Sequence, residues 1–102
     1  MAETLTGVGW HFSASHHDRL TGALHGHSYQ VIAWHRCEDN NDAVILQEHL
    51  RGLCKTFDHT VLPDGLTRAE DMAMAILKLS PPSCVEVEIR RPVERLYARA
   101  RA

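Results

Sequence analysis

The chain contains eight histidines, and five of them, His11, His16, His17, His25 and His27, crowd between positions 11 and 27. Imidazole is the commonest metal ligand in proteins, so metal binding is the first chemistry this cluster offers. His25-Gly26-His27 sets two imidazoles two residues apart. In a strand, residues i and i+2 point to the same face, and Gly26 leaves room between the rings. His16 falls at the end of the preceding strand-like segment. An antiparallel hairpin brings the end of one strand beside the start of the next. His16, His25 and His27 can therefore converge. Three histidines with a fourth position open is the arrangement of catalytic zinc, with Zn–N bonds of ~2.0–2.1 Å. A bare His-x-His is equally a pair of partly exposed strand histidines bonded to backbone, and the spacing alone leaves both readings open. His17 has the wrong parity to replace His16 and reads as a solvated loop residue. His11 falls on the opposite face, and His35 and His49 read as surface or interface residues. Asp58-His59, taken on the residues alone, reads as a helix-end pair that satisfies backbone groups.

The elements that must position these residues follow from periodicity. From Thr6 to His16, Val8, Trp10, Phe12, Ala14 and His16 share one parity, which predicts a strand. A loop over His17–Leu24 leads to a second strand from about His25 to Cys37, and the two form an antiparallel hairpin. The polar break Glu38–Asp42 follows, with Asn41 or Asp42 able to cap a helix. Leu46, Leu50, Leu53 and Phe57 recur at helical spacing and predict a helix over 43–56. Pro63-Asp64-Gly65 is a turn signal that closes the connection. Thr67-Arg68-Ala69-Glu70 has the form of a capping box. It opens a second helix to about Leu79, with Met72, Ala73, Met74, Ile76 and Leu79 as its core residues and Pro81-Pro82 as its stop. Val85, Val87 and Ile89 alternate with Glu86 and Glu88 in a third strand. Glu94 to Arg101 should pair back as a fourth. The order β-β-α-α-β-β implies an α+β fold: one domain over 1–102, an antiparallel four-stranded sheet with two helices on one face.

Composition narrows the function. The chain has 102 residues, 44% apolar and 24% charged, as expected for a globular domain rather than a disordered or fibrous one. A net charge of -2 and a pI near 6.4 argue against nucleic acid as partner. No apolar run approaches the ~18 residues of a membrane span. The start Met1-Ala2-Glu3-Thr4 shows no signal-peptide pattern, so the expectation is a cytoplasmic protein. Cys37, Cys54 and Cys84 are spread out and odd in number, which suggests reduced, packed thiols. Trp10 and Trp34 read as core or interface anchors. Arg90, Arg91, Arg95, Arg99 and Arg101 make the C-terminal strand basic. They can bind phosphate or pair with Glu86, Glu88 and Glu94 across strands, and pairing is the favoured reading. Gly-rich phosphate loops, nucleophile elbows and H-E-x-x-H are absent.

Taken in order, Phe12-Ser13-Ala14-Ser15-His16, Leu24-His25-Gly26-His27-Ser28-Tyr29, Asp58-His59 and the Thr-x-x-Glu helix start resemble the 6-pyruvoyl-tetrahydropterin synthase family. Its bacterial branch includes 6-carboxytetrahydropterin synthase of queuosine biosynthesis. The resemblance covers nearly the whole chain. It implies the tunnelling fold, in which small subunits join sheets into a barrel as a homo-oligomer, a trimer or a hexamer, with sites at subunit interfaces. It implies Zn2+ held by His16, His25 and His27, and a pterin substrate such as 7,8-dihydroneopterin triphosphate. It makes Asp58 and His59 a catalytic pair, in which the carboxylate would orient the imidazole and the imidazole would relay protons near neutral pH. Two positions depart from the family pattern. Thr21 stands where the family has its proton-transfer cysteine, and Ile89 stands where a glutamate anchors the pterin. Glu88, next to Ile89, is then the candidate substrate-binding carboxylate, provided that the strand shifts by one residue, which would turn its side chains to the other face. The family aspartate near the start of the first helix is also missing, around Leu46-Gln47. These departures allow a second reading, a zinc- or pterin-binding relative with altered or lost catalysis.

Overall fold

A computed structural model describes residues 2–38 and 42–102. β1 (Leu5–His17) and β2 (Leu24–Arg36) are long strands paired antiparallel over their whole length. Each extends one residue further toward the hairpin loop than the sequence pattern predicts. The register sets Val8 against Ala33, Phe12 against Tyr29, Ala14 against His27 and His16 against His25. β3 (Cys84–Arg91) pairs with β2 and places Ile89 opposite Val31, with a bulge at Trp34/His35. β4 (Leu96–Arg101) closes the sheet in the order β1-β2-β3-β4. It begins later than expected, because Glu94 belongs to the turn between β3 and β4.

One face of the sheet is covered by two helices, and the observed order is the β-β-α-α-β-β of an α+β domain. α1 (Ala43–Phe57) lies on β1, and α2 (Ala69–Leu79) lies on β3 and β4. Between them and the sheet, Phe12, Tyr29, Val31, Leu50, Cys54, Met72, Ile76, Val87 and Ile89 are buried. Burying a large apolar side chain contributes about 1.5–3 kcal/mol, so these residues hold the helices down. Asp42 caps α1 by accepting from Val44 N at 2.9 Å. The alternative cap, Asn41, lies outside the described residues. No helix among the described residues is long and apolar enough to cross a membrane.

Four local expectations are corrected. Thr67 and Glu70 do not form a capping box. Arg68 is the N-cap of α2, Thr67 donates to Asp64 O, and Arg68 Nε binds Glu70 at 2.9 Å instead. That local ion pair removes the carboxylate that the box needs. Met74 and Leu79 face solvent, 41% and 55% exposed, because the stripe of α2 that meets the sheet runs through Ala69, Met72, Ala73 and Ile76. Cys37 is exposed beyond the end of β2, whereas Cys54 and Cys84 are buried, and all three are free thiols. His35 is only 2% exposed. It shares the inward parity of Tyr29, Val31 and Ala33, and it bonds Ser83 Oγ at 2.8 Å.

Among the described residues, no helix covers the other face of the sheet. There Gly7 faces Trp34, and a Cβ at Gly7 would lie 2.8 Å from the Trp34 ring. The same face carries Glu86, Glu88, Arg90, Arg99 and Arg101. Glu88 takes Arg90 Nε at 2.9 Å and Arg99 Nε at 3.1 Å, and Arg101 binds Glu86. Arg99 and Arg101 are thus paired across strands, and Arg90 pairs with Glu88 within β3.

Candidate functional site

The hairpin register brings His16 and His25 opposite each other, and His27 lies two residues along on the same face. Ring centroids are 4.9 Å apart for His16–His27, 6.2 Å for His16–His25 and 6.4 Å for His25–His27. His16 Nε2 and His27 Nε2 face each other at 2.9 Å. Two imidazole nitrogens come this close only by sharing a proton or a cation. His25 is turned differently, with its Nε2 3.5 Å from Asp18 Oδ2. Asp18 is itself fixed, since its Oδ1 accepts from Leu20 N at 2.7 Å and Thr21 N at 3.1 Å. Those two N–H groups are the main reason its carboxyl is held below the usual range. Hence, among the described residues, no group of three or more donors stands arranged to hold a metal ion. Two of the three imidazoles meet and the third is held aside. The donor set is nevertheless the one zinc favours, and the His25 ring lies 6.2 and 6.4 Å from the other two.

His27 has the most elaborate surroundings. Glu94 Oε1 lies 2.6 Å from His27 Nδ1. Arg91 binds the same Oε1 through Nε at 3.0 Å and Nη2 at 2.8 Å. Arg91 Nη2 also stands 3.0 Å from Nδ1 and 3.1 Å from Nε2 of His27. Being nearly equidistant, it lies along neither ring nitrogen's lone-pair axis. Burial, then the Arg91 charge, lowers the pKa of His27 against the raising effect of Glu94. The neutral imidazole is the form a metal binds.

Asp58 and His59 follow α1. Asp58 is the C-cap of α1 and its N–H reaches Cys54 O. The chain then turns through His59, whose φ of 57° lies in the left-handed region. A non-glycine residue there costs on the order of 1–3 kcal/mol and persists where its surroundings dictate it. Here the edge of β1 does so: His59 N donates to Ser13 O, Ser15 N to Thr60 O and Leu62 N to Ser15 O. Asp58 Oδ1 accepts from Ser13 N at 2.9 Å, and its Oδ2 lies 2.9 Å from His59 Nδ1. The Ser13 N–H first, and then His59, hold the Asp58 carboxyl below its usual range. The His59 ring projects into solvent.

His27 and His59 line one cavity of about 570 Å³, together with Ser13, Ser15, Ser28 and Glu94. It is open on one side, and most of its exposed lining surface is apolar. Thr21 is not among its lining residues. It sits in the 18–23 turn, where its hydroxyl accepts from Ala23 N at 3.2 Å. Glu88 is also absent from the lining; it lies on the helix-free face, clamped by Arg90 and Arg99. Ile89 is a core residue beneath the helices, fully buried, so a carboxylate there would be buried without a partner. None of the cysteines lines the cavity. Burial pushes the Cys54 thiol up to about 12 and raises that of Cys84 too. Sequence reasoning missed Glu94 as a site residue. A signal existed: Arg91 has the inward parity of Val87 and Ile89, which directs it to the end of the sheet where His27 lies.

No family model matches the sequence, and no curated protein matches it. Among solved structures, the chain is similar to 6-pyruvoyl tetrahydropterin synthase of Caenorhabditis elegans. The identity is 18% and the TM-score 0.79, over 100% of this chain and 97% of that one. It is also similar to a Plasmodium vivax 6-pyruvoyltetrahydropterin synthase whose catalytic glutamate is replaced by alanine. There the identity is 17% and the TM-score 0.66, over 97% of this chain and 99% of that one. The chain therefore has the fold of these synthases, spanning nearly their whole length.

Proposed function

We propose that this protein is a zinc-dependent pterin-processing enzyme of the 6-pyruvoyl- or 6-carboxytetrahydropterin synthase type. It would act on 7,8-dihydroneopterin triphosphate or a related pterin, in the cytoplasm, as a homo-oligomer with sites at subunit interfaces. The observation that carries this reading is the meeting of His16 and His27 at 2.9 Å beside a cavity that His59 also lines. His16, His25 and His27 would hold the ion. When bound, zinc would supply Lewis acidity that makes C–H protons of the substrate more acidic. The Asp58 carboxylate orients the His59 ring through Nδ1, leaving Nε2 to take up or return a proton in the cavity. Ser13, Ser15 and Ser28 offer hydroxyls to a polar ring. The helix-free sheet face, with Trp34 and Ile32 only partly covered, suits association with further copies.

A second reading is favoured by one observation: no thiol reaches the cavity, and Thr21 at the cysteine position lies in a turn outside it. A relative of that kind would bind zinc and a pterin without turning it over. Incubating zinc-loaded protein with 7,8-dihydroneopterin triphosphate and with sepiapterin separates the two. Conversion seen by chromatography, falling at least about 100-fold in a His59→Ala variant as for a lost general acid–base group, supports the enzyme. Binding without conversion supports the second reading. Neither binding nor conversion overturns both.

A further inference from the structure

We propose that Glu94 is a positioning residue that, braced by Arg91, fixes the ring of His27 so that Nε2 is its metal-binding nitrogen. The inference rests on the zinc reading above and goes beyond it, to a residue outside the histidine cluster. A neutral imidazole has one N–H donor and one acceptor nitrogen. An ionised carboxylate only accepts, so the 2.6 Å contact of Glu94 Oε1 with Nδ1 assigns the N–H to Nδ1 and the lone pair to Nε2. That lone pair points toward His16 Nε2, 2.9 Å away. A carboxylate behind a ligating histidine fixes ring orientation and raises ligand basicity.

The carboxylate is itself held. Arg91 binds Oε1 through two nitrogens, at 3.0 and 2.8 Å, and the Arg91 side chain is only 14% exposed. The turn that carries Glu94 closes with Arg95 N donating to Pro92 O, and Arg95 takes a φ of 56°. His25 is the contrast. Its carboxylate neighbour, Asp18, faces Nε2 rather than Nδ1. Of the two histidines in His25-Gly26-His27, His27 alone has Nε2 directed to the meeting point by a partner behind it.

The test measures zinc affinity by competition with a chromophoric chelator, with the absorption of the cobalt-substituted protein as second readout. Wild type, Glu94→Gln, Glu94→Ala and His27→Ala are compared, and apo melting temperatures are recorded alongside. Glu94→Ala should bind zinc about 10- to 100-fold more weakly. Glu94→Gln should fall between it and wild type, because its amide oxygen still accepts from Nδ1. The cobalt spectrum should change in both, with apo melting temperatures near that of wild type. Wild-type affinity and spectrum in both Glu94 variants, with His27→Ala impaired, would overturn the positioning role and leave the zinc reading standing. Absence of zinc uptake by wild type, or wild-type uptake by His27→Ala, would overturn the zinc reading and this inference with it.

Discussion

His27 and His35 lie on the same strand, on the same inward face, eight positions apart, and their surroundings are opposite. His35 is sealed in the core, bonded to the Ser83 hydroxyl, with Ala33 and Cys84 as buried neighbours. His27 stands at the open end of the sheet, bonded to a carboxylate that an arginine holds, with a second imidazole at its other nitrogen. Burial lowers the pKa of both. A depressed pKa therefore marks burial and not function. What separates them is the partner: a neutral hydroxyl in a closed core against charged groups beside a cavity.

The strongest way to break this contrast is to remove each ring in turn. His27→Ala should weaken zinc binding at least 100-fold, about 2.7 kcal/mol or more, and change apo stability by about 1 kcal/mol or less. His35→Ala should do the reverse. Deleting a buried ring leaves a cavity and strands the Ser83 hydroxyl, for a loss of about 2–4 kcal/mol in urea unfolding, with zinc affinity as in wild type. If His35→Ala loses zinc, or His27→Ala unfolds, the division of roles between the two ends of the strand is wrong.

Much of this was legible in residue types and spacing. Alternation in β1 to β4 and the helical stripe of α1 gave the element order, because most inward positions are apolar, the histidines and Arg91 being among the exceptions. His25-Gly26-His27 needed only strand parity, whereas Asp58-His59 stood out only through the family resemblance. His35 was legible too, since it continues the parity of Tyr29, Val31 and Ala33; treating histidine as polar by default hid it. Glu94 was less so. Its role depends on a turn whose shape comes from Arg95 at positive φ and on Arg91, sixty-four positions from His27. The capping box failed for a related reason: Arg68 could take Glu70 first, and sequence pattern does not rank competing partners. Glu88 illustrates tertiary override, as its outward parity was plain but its burial between two arginines was not.

A smaller effect sharpens the description of His35. Ser83→Ala removes the partner and keeps the ring. The buried Nδ1 is left without its bond, and the loss should be about 1–2 kcal/mol, less than for His35→Ala. Equal losses for the two variants, read from urea midpoints, would mean that packing of the ring contributes nothing beyond its bond.

The smallest effect is pH dependence, and its sign follows from the direction of the two shifts. Burial, and secondarily the charge of His49, keep the His35 pKa below its ordinary 6.5; burial and then Arg91 do the same for His27. In the unfolded chain both rings take up protons near pH 6.5. As pH falls through that value, the unfolded state binds more protons than the folded state, and stability falls. The contribution is therefore fully present above pH 6.5 and is lost below it. Each histidine adds at most about 1.4 kcal/mol per pH unit. Asp18, Asp58 and Glu94 are shifted in the same direction from lower starting values, so their losses come at more acidic pH. Urea unfolding of metal-free protein should thus show a decline between pH 7.5 and 5.5. That decline should be shallower in His35→Ala and shallower again when His27→Ala is added. A wild-type profile flat over this range would mean that neither ring is kept neutral by the fold.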